Sequence, residues 1–314
     1  MSKIEWTDMT WNPTTGCEKV STGCRGCYAE VMTRRLSAMG QKKYQGILTE
    51  SGRFNGTVRT HDDALRLPLS WNKPRKVFVD SMSDLFHKDV PFDFIDQVFA
   101  VMALTPQHTY QILTKRTEGA VEYLTGCPTQ RIERHLLAIH QTIPLKDRVT
   151  GYGRPKWPLP NVWIGTSVED QAAADERIPR LLNCPAAVRF LSMEPLVGPV
   201  DLLKEYPTGK GTVSYGAFVD WVIAGGESGP NARPVHPDWV RSIRDQCAQA
   251  DIPFFFKQWG NYCPPECYPF KAGSPDIARC ERFVFPDGVE VYKAGKQHTG
   301  NLLDGRQYLH FPKQ

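Results

Sequence analysis

The sequence has no apolar run near the ~20 residues that a helix needs to cross a bilayer. Its opening stretch, Met1 to Trp11, mixes charge with tryptophan and has no apolar leader core. A soluble, cytoplasmic location with no membrane partner is the expectation. Charge of one sign is also lacking: 38 Lys and Arg against 34 Asp and Glu leave a formal net charge of +4. That excludes a basic-tail polyanion binder but permits phosphate contact. No internal repeat and no low-complexity tract stands out. The glycines gather at Gly225-Gly226-Glu227-Ser228-Gly229, but no Gly-Lys-Ser/Thr follows them and the G-x-G-x-x-G spacing is missing. A phosphate loop and a dinucleotide fingerprint are therefore excluded there. Histidine is absent before His61.

What is present is enough apolar residue for a large core. The chain has 314 residues, 41% of them hydrophobic and 23% charged. An α/β barrel uses such a length as one domain. A short apolar run followed by a polar cluster recurs at Val77–Asp80, Tyr110–Leu113, Val162–Ile164, Val188–Leu191, Trp221–Ala224 and Phe254–Phe256. Continuous runs of this kind fit strands buried on both faces. A seventh short strand is expected near Met9–Trp11. Between the runs, Phe92–Ala103, Asp170–Leu182 and His236–Ala250 carry apolar residues at helical spacing, the last with Trp239, Ile243 and Cys247 in one stripe. Alternating strands and helices predict a parallel sheet with helices outside. A partial or complete (β/α) barrel is the first expectation and an open doubly wound sheet the second. Residues 1–260 would form the barrel. Residues 261–314 would form an irregular cap packed on it, with a hairpin at Pro286-Asp287-Gly288 and a turn at Asp304-Gly305. Gln41–Pro74 reads equally as a substrate-facing flap and as a solvated connection, and Lys146–Pro160 as an exposed loop.

The strongest local signal is Cys17-x6-Cys24-x2-Cys27, three thiols in a segment rich in Gly, Ser and Thr. Three sulfurs on a glycine-containing loop can converge on one inorganic centre. The spacing fits an iron–sulfur cluster on three thiolates, with one iron left open to a small molecule. Zinc is the alternative metal, but a structural zinc site wants a fourth Cys or His. Three ordinary cysteines are the remaining alternative. Of the nine cysteines, Cys127, Cys184 and Cys247 read as small core residues, and Cys263, Cys267 and Cys280 as unpaired thiols or a second metal site. Asp80, Asp84 and His87 read as a helix start or a metal set.

In a (β/α) barrel the chemistry gathers at the C-terminal ends of the strands. Ser81, Asp84, Lys115, Ser167, Glu169, Glu194, Glu227, Ser228 and Lys257 stand at or just past such ends. Charges at the lip of a core are costly unless they meet a partner or a ligand. These residues are the candidates for cofactor binding.

With three clustered cysteines after the first strand and Tyr28 after the last of them, the sequence resembles the radical S-adenosylmethionine superfamily. The motifs Ile4-Glu5-Trp6-Thr7-Asp8, Trp11-Asn12-Pro13, Ser81-Met82-Ser83-Asp84-Leu85-Phe86-His87, Leu113-Thr114-Lys115-Arg116, Ser192-Met193-Glu194-Pro195-Leu196, Gly225–Gly229 and Phe256-Lys257-Gln258-Trp259-Gly260 are similar to those of a phage- and prophage-associated family. A weaker likeness, at Thr114-Lys115 and Glu194-Pro195, is to the spore photoproduct lyase group. The resemblance implies a partial or full (β/α) barrel and a [4Fe–4S] cluster on Cys17, Cys24 and Cys27. It also implies S-adenosylmethionine on the open iron and 5′-deoxyadenosyl radical chemistry, with a reductant protein as electron donor and a nucleic-acid or nucleotide substrate. Lys115, Ser167, Glu169 and Glu227 would contact the cofactor. The sequence departs from the superfamily in two places. The usual spacing is C-x3-C-x2-C, and the Gly-Gly-Glu motif usually follows the second strand rather than a late one. A non-catalytic, metal-stabilised nucleic-acid-binding protein is the competing function, and a zinc hydrolase is a third.

Overall fold

The computed structural model describes residues 4–126, 128–143, 155–208, 211–268 and 276–313. Along the chain the strands are β1 (Met9–Trp11), β2 (Thr14–Thr15), β3 (Arg59–Thr60), β4 (Lys76–Val79), β5 (Thr109–Thr114), β6 (Val162–Ser167), β7 (Val188–Met193), β8 (Glu205–Thr208), β9 (Gly211–Ser214), β10 (Trp221–Gly225), β11 (Phe254–Gln258), β12 (Tyr262–Cys263), β13 (Glu281–Val284) and β14 (Glu290–Lys293). The helices are α1 (Tyr28–Ala38), α2 (Asp62–Leu65), α3 (Phe92–Leu104), α4 (Thr117–Thr125), α5 (Thr129–Thr142), α6 (Gln171–Leu182), α7 (Pro237–Gln249) and α8 (Lys296–Thr299). Seven parallel strands form one sheet in the order β1-β4-β5-β6-β7-β10-β11, with β1 and β11 as its end strands. The architecture is a partial (β/α) barrel, and all seven expected strands are in it. Every residue of β6 and of β10 is buried, as a parallel sheet covered on both faces requires. Among the described residues no helix is long and apolar enough to cross a membrane.

The helices follow the apolar stripes. α3 buries Phe94, Ile95, Val98, Phe99 and Met102, each contributing on the order of 1.5–3 kcal/mol as it leaves water. α7 starts where Pro237 pre-sets the first turn and the His236 side chain accepts from the Asp238 N–H. Its buried stripe is Val240, Ile243 and Cys247. Trp239 lies one position off that stripe and packs partly buried on Phe285, 5.8 Å between rings. The expected stripe through Trp239 is corrected accordingly: a bulky ring finds room beside the small hairpin sheet more readily than against the main sheet.

The chain folds as two compact units. The first comprises residues 1–20, 27–166 and 180–188. Its core holds Trp11, whose indole N–H donates to the Ala64 carbonyl at 2.8 Å, and Tyr110, whose hydroxyl meets the Thr105 hydroxyl at 2.6 Å. The stretch from Gln41 to Pro74 belongs to this unit and is more than a solvated connection. Its Tyr44 and Ile47 are buried with Ala29 and Met82, and its β3 pairs antiparallel with β2. The expected loop at Lys146–Pro160 lies largely outside the described residues, as does Cys127.

The second unit comprises residues 21–26, 167–179 and 189–314. The expected hairpin is present as β13 and β14, extended by β12 into a three-stranded antiparallel sheet. The expected turn at Asp304-Gly305 is also present, both residues having positive φ between the bridged Leu303 and Arg306. The C-terminal segment packs on β10 and β11. Phe256 N–H donates to Tyr308 at 2.8 Å, the Trp221 indole to His310 at 2.8 Å, and the Trp221 and Phe311 rings lie 5.1 Å apart.

Candidate functional site

In the first unit, β2 runs into Gly16 and then Cys17. Gly16 has φ +92°, and a Cβ there would stand 2.0 Å from the Thr57 carbonyl oxygen. Only glycine fits a turn of this hand against that backbone. The Ser83 hydroxyl donates to the Gly16 carbonyl at 2.6 Å. Arg116 then reaches the sulfur. Its guanidinium donates to Cys17 Sγ at 3.6 Å, to Asp84 Oδ2 at 3.1 Å and to the Glu18 carbonyl at 3.1 Å. Asp84, itself buried, also accepts from the Thr114 hydroxyl at 2.7 Å and from the Lys115 and Phe86 N–H groups at 3.1 Å. Burial pushes the Cys17 thiol up to about 12, and Arg116 opposes the rise. Cys27 is the N-cap of α1, where the helix dipole favours an anionic sulfur.

The segment Ser21–Gly26 belongs to the second unit. Thr22–Cys24 forms one 3-10 turn with Gly23 buried inside it. The Gly23 N–H donates to Glu169 Oε1 at 3.3 Å. Glu169 is paired with Arg177 at 2.9 Å, with both side chains 3% exposed or less, and Arg177 also donates to the Ser167 carbonyl at 2.9 Å. Gly26 lies against a second buried carboxylate, Glu227: a Cβ at Gly26 would come within 2.5 Å of Glu227 Oε1. Arg233 holds Glu227 through Nε at 2.9 Å, through a terminal nitrogen at 3.1 Å and through its own backbone N–H at 2.8 Å. A buried carboxylate is strongly destabilising unless paired and hydrogen-bonded. Here two such pairs support the stretch that carries Cys24.

The strand-end candidates fall into groups. Asp84 and Lys115 come together beside Cys17, although the Lys115 contact to Asp84 is through its backbone. Ser81 donates to the Asn12 side chain at 3.1 Å. In the second unit Glu194 meets Lys257 at 2.8 Å and the Gln258 amide at 3.0 Å. Ser167, Glu169 and Glu227 are buried and Ser228 is exposed. Arg177 and Arg233 are not among the sequence candidates, and Arg116 is there only within the Leu113-Thr114-Lys115-Arg116 motif, not as a partner of a thiol. For Arg116 the signal was one residue away from the chosen Lys115. A strand-end polar pair points both ways from the sheet, and the register decides which side chain faces the sulfur. Arg177 and Arg233 answer carboxylates eight and six residues before them, a pairing that no local spacing rule announces.

Asp80, Asp84 and His87 do not form a metal set. Asp80 Oδ1 accepts the Thr14 N–H at 2.9 Å, Asp84 is held as above, and His87 faces Glu18 and Asp89 at 3.6 Å. Asp80 has φ +56°, and its Oδ2 has no hydrogen-bond partner among the described residues. Burial pushes its carboxyl up to about 8, against the lowering effect of the Thr14 bonds. Among the described residues the group whose possible ligand atoms lie within 4.8 Å of one another is Asp93, Asp96 and His135. Its carboxylates are already engaged, Asp96 by the Tyr123 hydroxyl and Arg131 and Asp93 by His135, all at 2.9 Å. Cys263, Cys267 and Cys280 are not such a group. Cys184 and Cys247 are fully buried, as small core residues would be.

The chemistry of the donors fits an iron–sulfur cluster. None of the three thiols is in a disulfide, a guanidinium stands on one sulfur, and the histidines nearest in sequence are engaged elsewhere. His61 Nε2 meets the Thr15 hydroxyl at 2.8 Å, and His87 faces Glu18. A cation beside sulfur favours the thiolate that binds metal.

A family model described as a protein of unknown function, DUF5131, matches residues 1–312. No curated protein matches the chain. Among solved structures, the chain is similar to a variant of spore photoproduct lyase at 11% identity and a TM-score of 0.36, over 90% of this chain and 67% of that one. A spore photoproduct lyase complexed with dinucleoside spore photoproduct gives 11% identity and a TM-score of 0.34, over 90% and 66%. A doubly substituted variant with bound AdoMet and dinucleoside spore photoproduct gives 12% identity and 0.34, over 91% and 68%. The chain spans about two thirds of the length of these proteins.

Proposed function

We propose that this chain, which belongs to the DUF5131 family, is an iron–sulfur enzyme of the radical S-adenosylmethionine kind, with Cys17, Cys24 and Cys27 as the ligands of a [4Fe–4S] cluster. The observation that carries the reading is how each part of the thiol segment is held. Gly16 and Arg116 fix Cys17, the Glu169–Arg177 pair fixes the turn that ends in Cys24, and the start of α1 fixes Cys27. Thiols that served only as small apolar residues would need no guanidinium on sulfur and no buried ion pairs beneath the loop.

When bound, a cluster held by Cys17, Cys24 and Cys27 would supply an electron, taken from a reductant protein, for the reductive cleavage of S-adenosylmethionine, the radical chemistry by which hydrogen would be taken from substrate. The chain's own residues do the rest. Arg116 offsets negative charge on the Cys17 sulfur and ties it to Asp84. Glu169 holds the Gly23 amide and so sets the direction from which Cys24 presents its sulfur. Glu227 and Arg233 form a wall against Gly26 that keeps the loop from slipping. The Glu194–Lys257 pair and the exposed Ser228 hydroxyl provide polar contacts suited to S-adenosylmethionine. Ser81, Ser167 and Lys115, at other strand ends, are the remaining candidates for contact with the cofactor.

The test is anaerobic purification, reconstitution with iron and sulfide, and EPR of the reduced protein with and without S-adenosylmethionine. The expected result is a cluster signal that changes when S-adenosylmethionine is added and is lost in Cys24→Ala. A signal indifferent to S-adenosylmethionine, or zinc in place of iron, would overturn the assignment. In the second case a metal-stabilised binding module becomes the better reading.

A further inference from the structure

The first unit contains an open cleft of about 800 Å3 that the thiol chemistry does not use. Its lining includes Lys42, Lys43, Arg59 and His61 together with Asp63 and Asp89. A volume of this size is within the range of small-molecule sites, roughly 300–1,000 Å3. Its walls are tied together from three stretches of chain. β3 pairs with β2, setting Arg59 opposite Thr15 and Thr60 opposite Thr14. The Thr15 hydroxyl donates to the Lys43 carbonyl at 3.0 Å and meets His61 Nε2 at 2.8 Å. The His61 N–H donates to the Pro13 carbonyl at 2.8 Å. The Thr15 hydroxyl has one proton and gives it to Lys43, so His61 must be the donor in its bond to Thr15. Burial first, and Lys43 next, hold the His61 imidazole below its ordinary value. A neutral His61 keeps Nδ1 as an acceptor.

Arg116, Arg131, Arg177, Arg233, Arg241 and Arg244 each sit on a carboxylate. Lys42, Lys43 and Arg59 form no ion pair among the described residues, although two aspartates line the same cleft. Three cations that line one cleft without forming an ion pair, even beside Asp63 and Asp89, are suited to phosphate. Carboxylates and an imidazole acceptor in the same wall are suited to hydroxyls and exocyclic amines. A nucleotide carries both sets of groups, whereas a simple anion carries only the first.

We propose that this cleft binds a nucleotide, with phosphate on Lys42, Lys43 and Arg59 and sugar or base groups on Asp63, Asp89 and His61, either as a free nucleotide or as part of a nucleic-acid strand. Its wall includes β3, which pairs with β2, and β2 continues through Gly16 into Cys17. The inference supplies a substrate class for the proposed enzyme. It rests on that reading for the reaction but not for the binding.

The test is fluorescence anisotropy on the full chain, both as purified and after reconstitution with iron and sulfide. The probes are a fluorescein-labelled single-stranded DNA dodecamer and a fluorescent AMP analogue, each at low and moderate salt. The Lys42→Glu/Arg59→Glu double variant is expected to weaken binding by about tenfold or more and to flatten its salt dependence. Arg306→Glu, which reverses an exposed arginine of the C-terminal segment, is expected to leave binding unchanged. Circular dichroism and melting check that the variants fold, and Lys42→Ala/Arg59→Ala is expected to weaken binding in the same direction. Tight binding of AMP alone identifies a free nucleotide, and tight binding of the dodecamer alone identifies a strand; either supports the site. No binding of either probe, or equal affinity in the double variants, overturns it. A failure to take up iron would sink the cluster assignment and leave this result standing.

Discussion

Gly26→Ala is the sharpest test of what Glu227 does. Gly26 has no positive φ to forbid a side chain, so the cost of the substitution is steric. The added Cβ would stand 2.5 Å from Glu227 Oε1, and ordinary contact begins at 3.4 Å, so something must give by about 0.9 Å. A flexible side chain could swing aside, but Glu227 is buried and gripped by Arg233 through three bonds. Either the Glu227–Arg233 pair loosens or the Cys24–Cys27 stretch lifts. Overpacking of this kind costs about 1–3 kcal/mol, and at about 2 kcal/mol a melting midpoint falls by about 4 °C or more in a domain of this class. The assay is thermal melting by circular dichroism together with iron content after reconstitution. Both are expected to fall in Gly26→Ala. In a Glu227→Ala background the obstruction is gone, and the same substitution should then cost less than about 0.5 kcal/mol, a non-additivity that only a direct contact produces. Equal costs in the two backgrounds would falsify the view that Glu227 is a wall for the thiol segment.

Arg116→Met removes the cation from the Cys17 sulfur and leaves Asp84 without its partner. Iron affinity, measured by chelator competition, should fall by about 10–100-fold, as for other residues that orient metal ligands, whereas Lys115→Met should change it little. Asp80 imposes a pH dependence on folding. Its carboxyl is raised from 3.8 to about 8, so the folded state holds a proton that the unfolded state releases. The stabilisation is complete below about pH 4, declines as pH rises, and is gone above about pH 8, with an upper limit of about 6 kcal/mol. Asp80→Asn should flatten the melting temperature between about pH 5 and 8, and an unchanged profile would refute the assignment. Lys257→Ala should raise the S-adenosylmethionine concentration needed for the EPR change without altering iron content. Cys184→Ala and Cys247→Ala should retain full iron content, since both thiols are core residues.

The strands and long helices were legible because their signals are local. An unbroken apolar run such as Val162–Ile164 can be satisfied only by burial on both faces, and the stripe of α3 repeats at the helical period within one stretch of chain. The hairpin at Pro286-Asp287-Gly288 and the turn at Asp304-Gly305 declare themselves through residues that tolerate positive φ. Trp239 shows the limit of such reasoning. Periodicity told that α7 has an apolar side, but which neighbour receives a large ring depends on the space left by Phe285.

The thiol segment divides in the same way. Three cysteines within eleven residues are a property of the covalent chain, and their kinship as soft donors needs no fold to be recognised. What stands on each sulfur does not follow from spacing. Arg116 reaches Cys17 across 99 positions, Glu169 reaches Gly23 across 146, and the cleft beside β2 joins Lys43, Arg59 and His61 through one threonine. Composition, periodicity and turn chemistry are short-range and survive in the linear sequence. Pairings of buried charge are settled only when packing brings distant residues together and removes the water that would otherwise satisfy each of them separately.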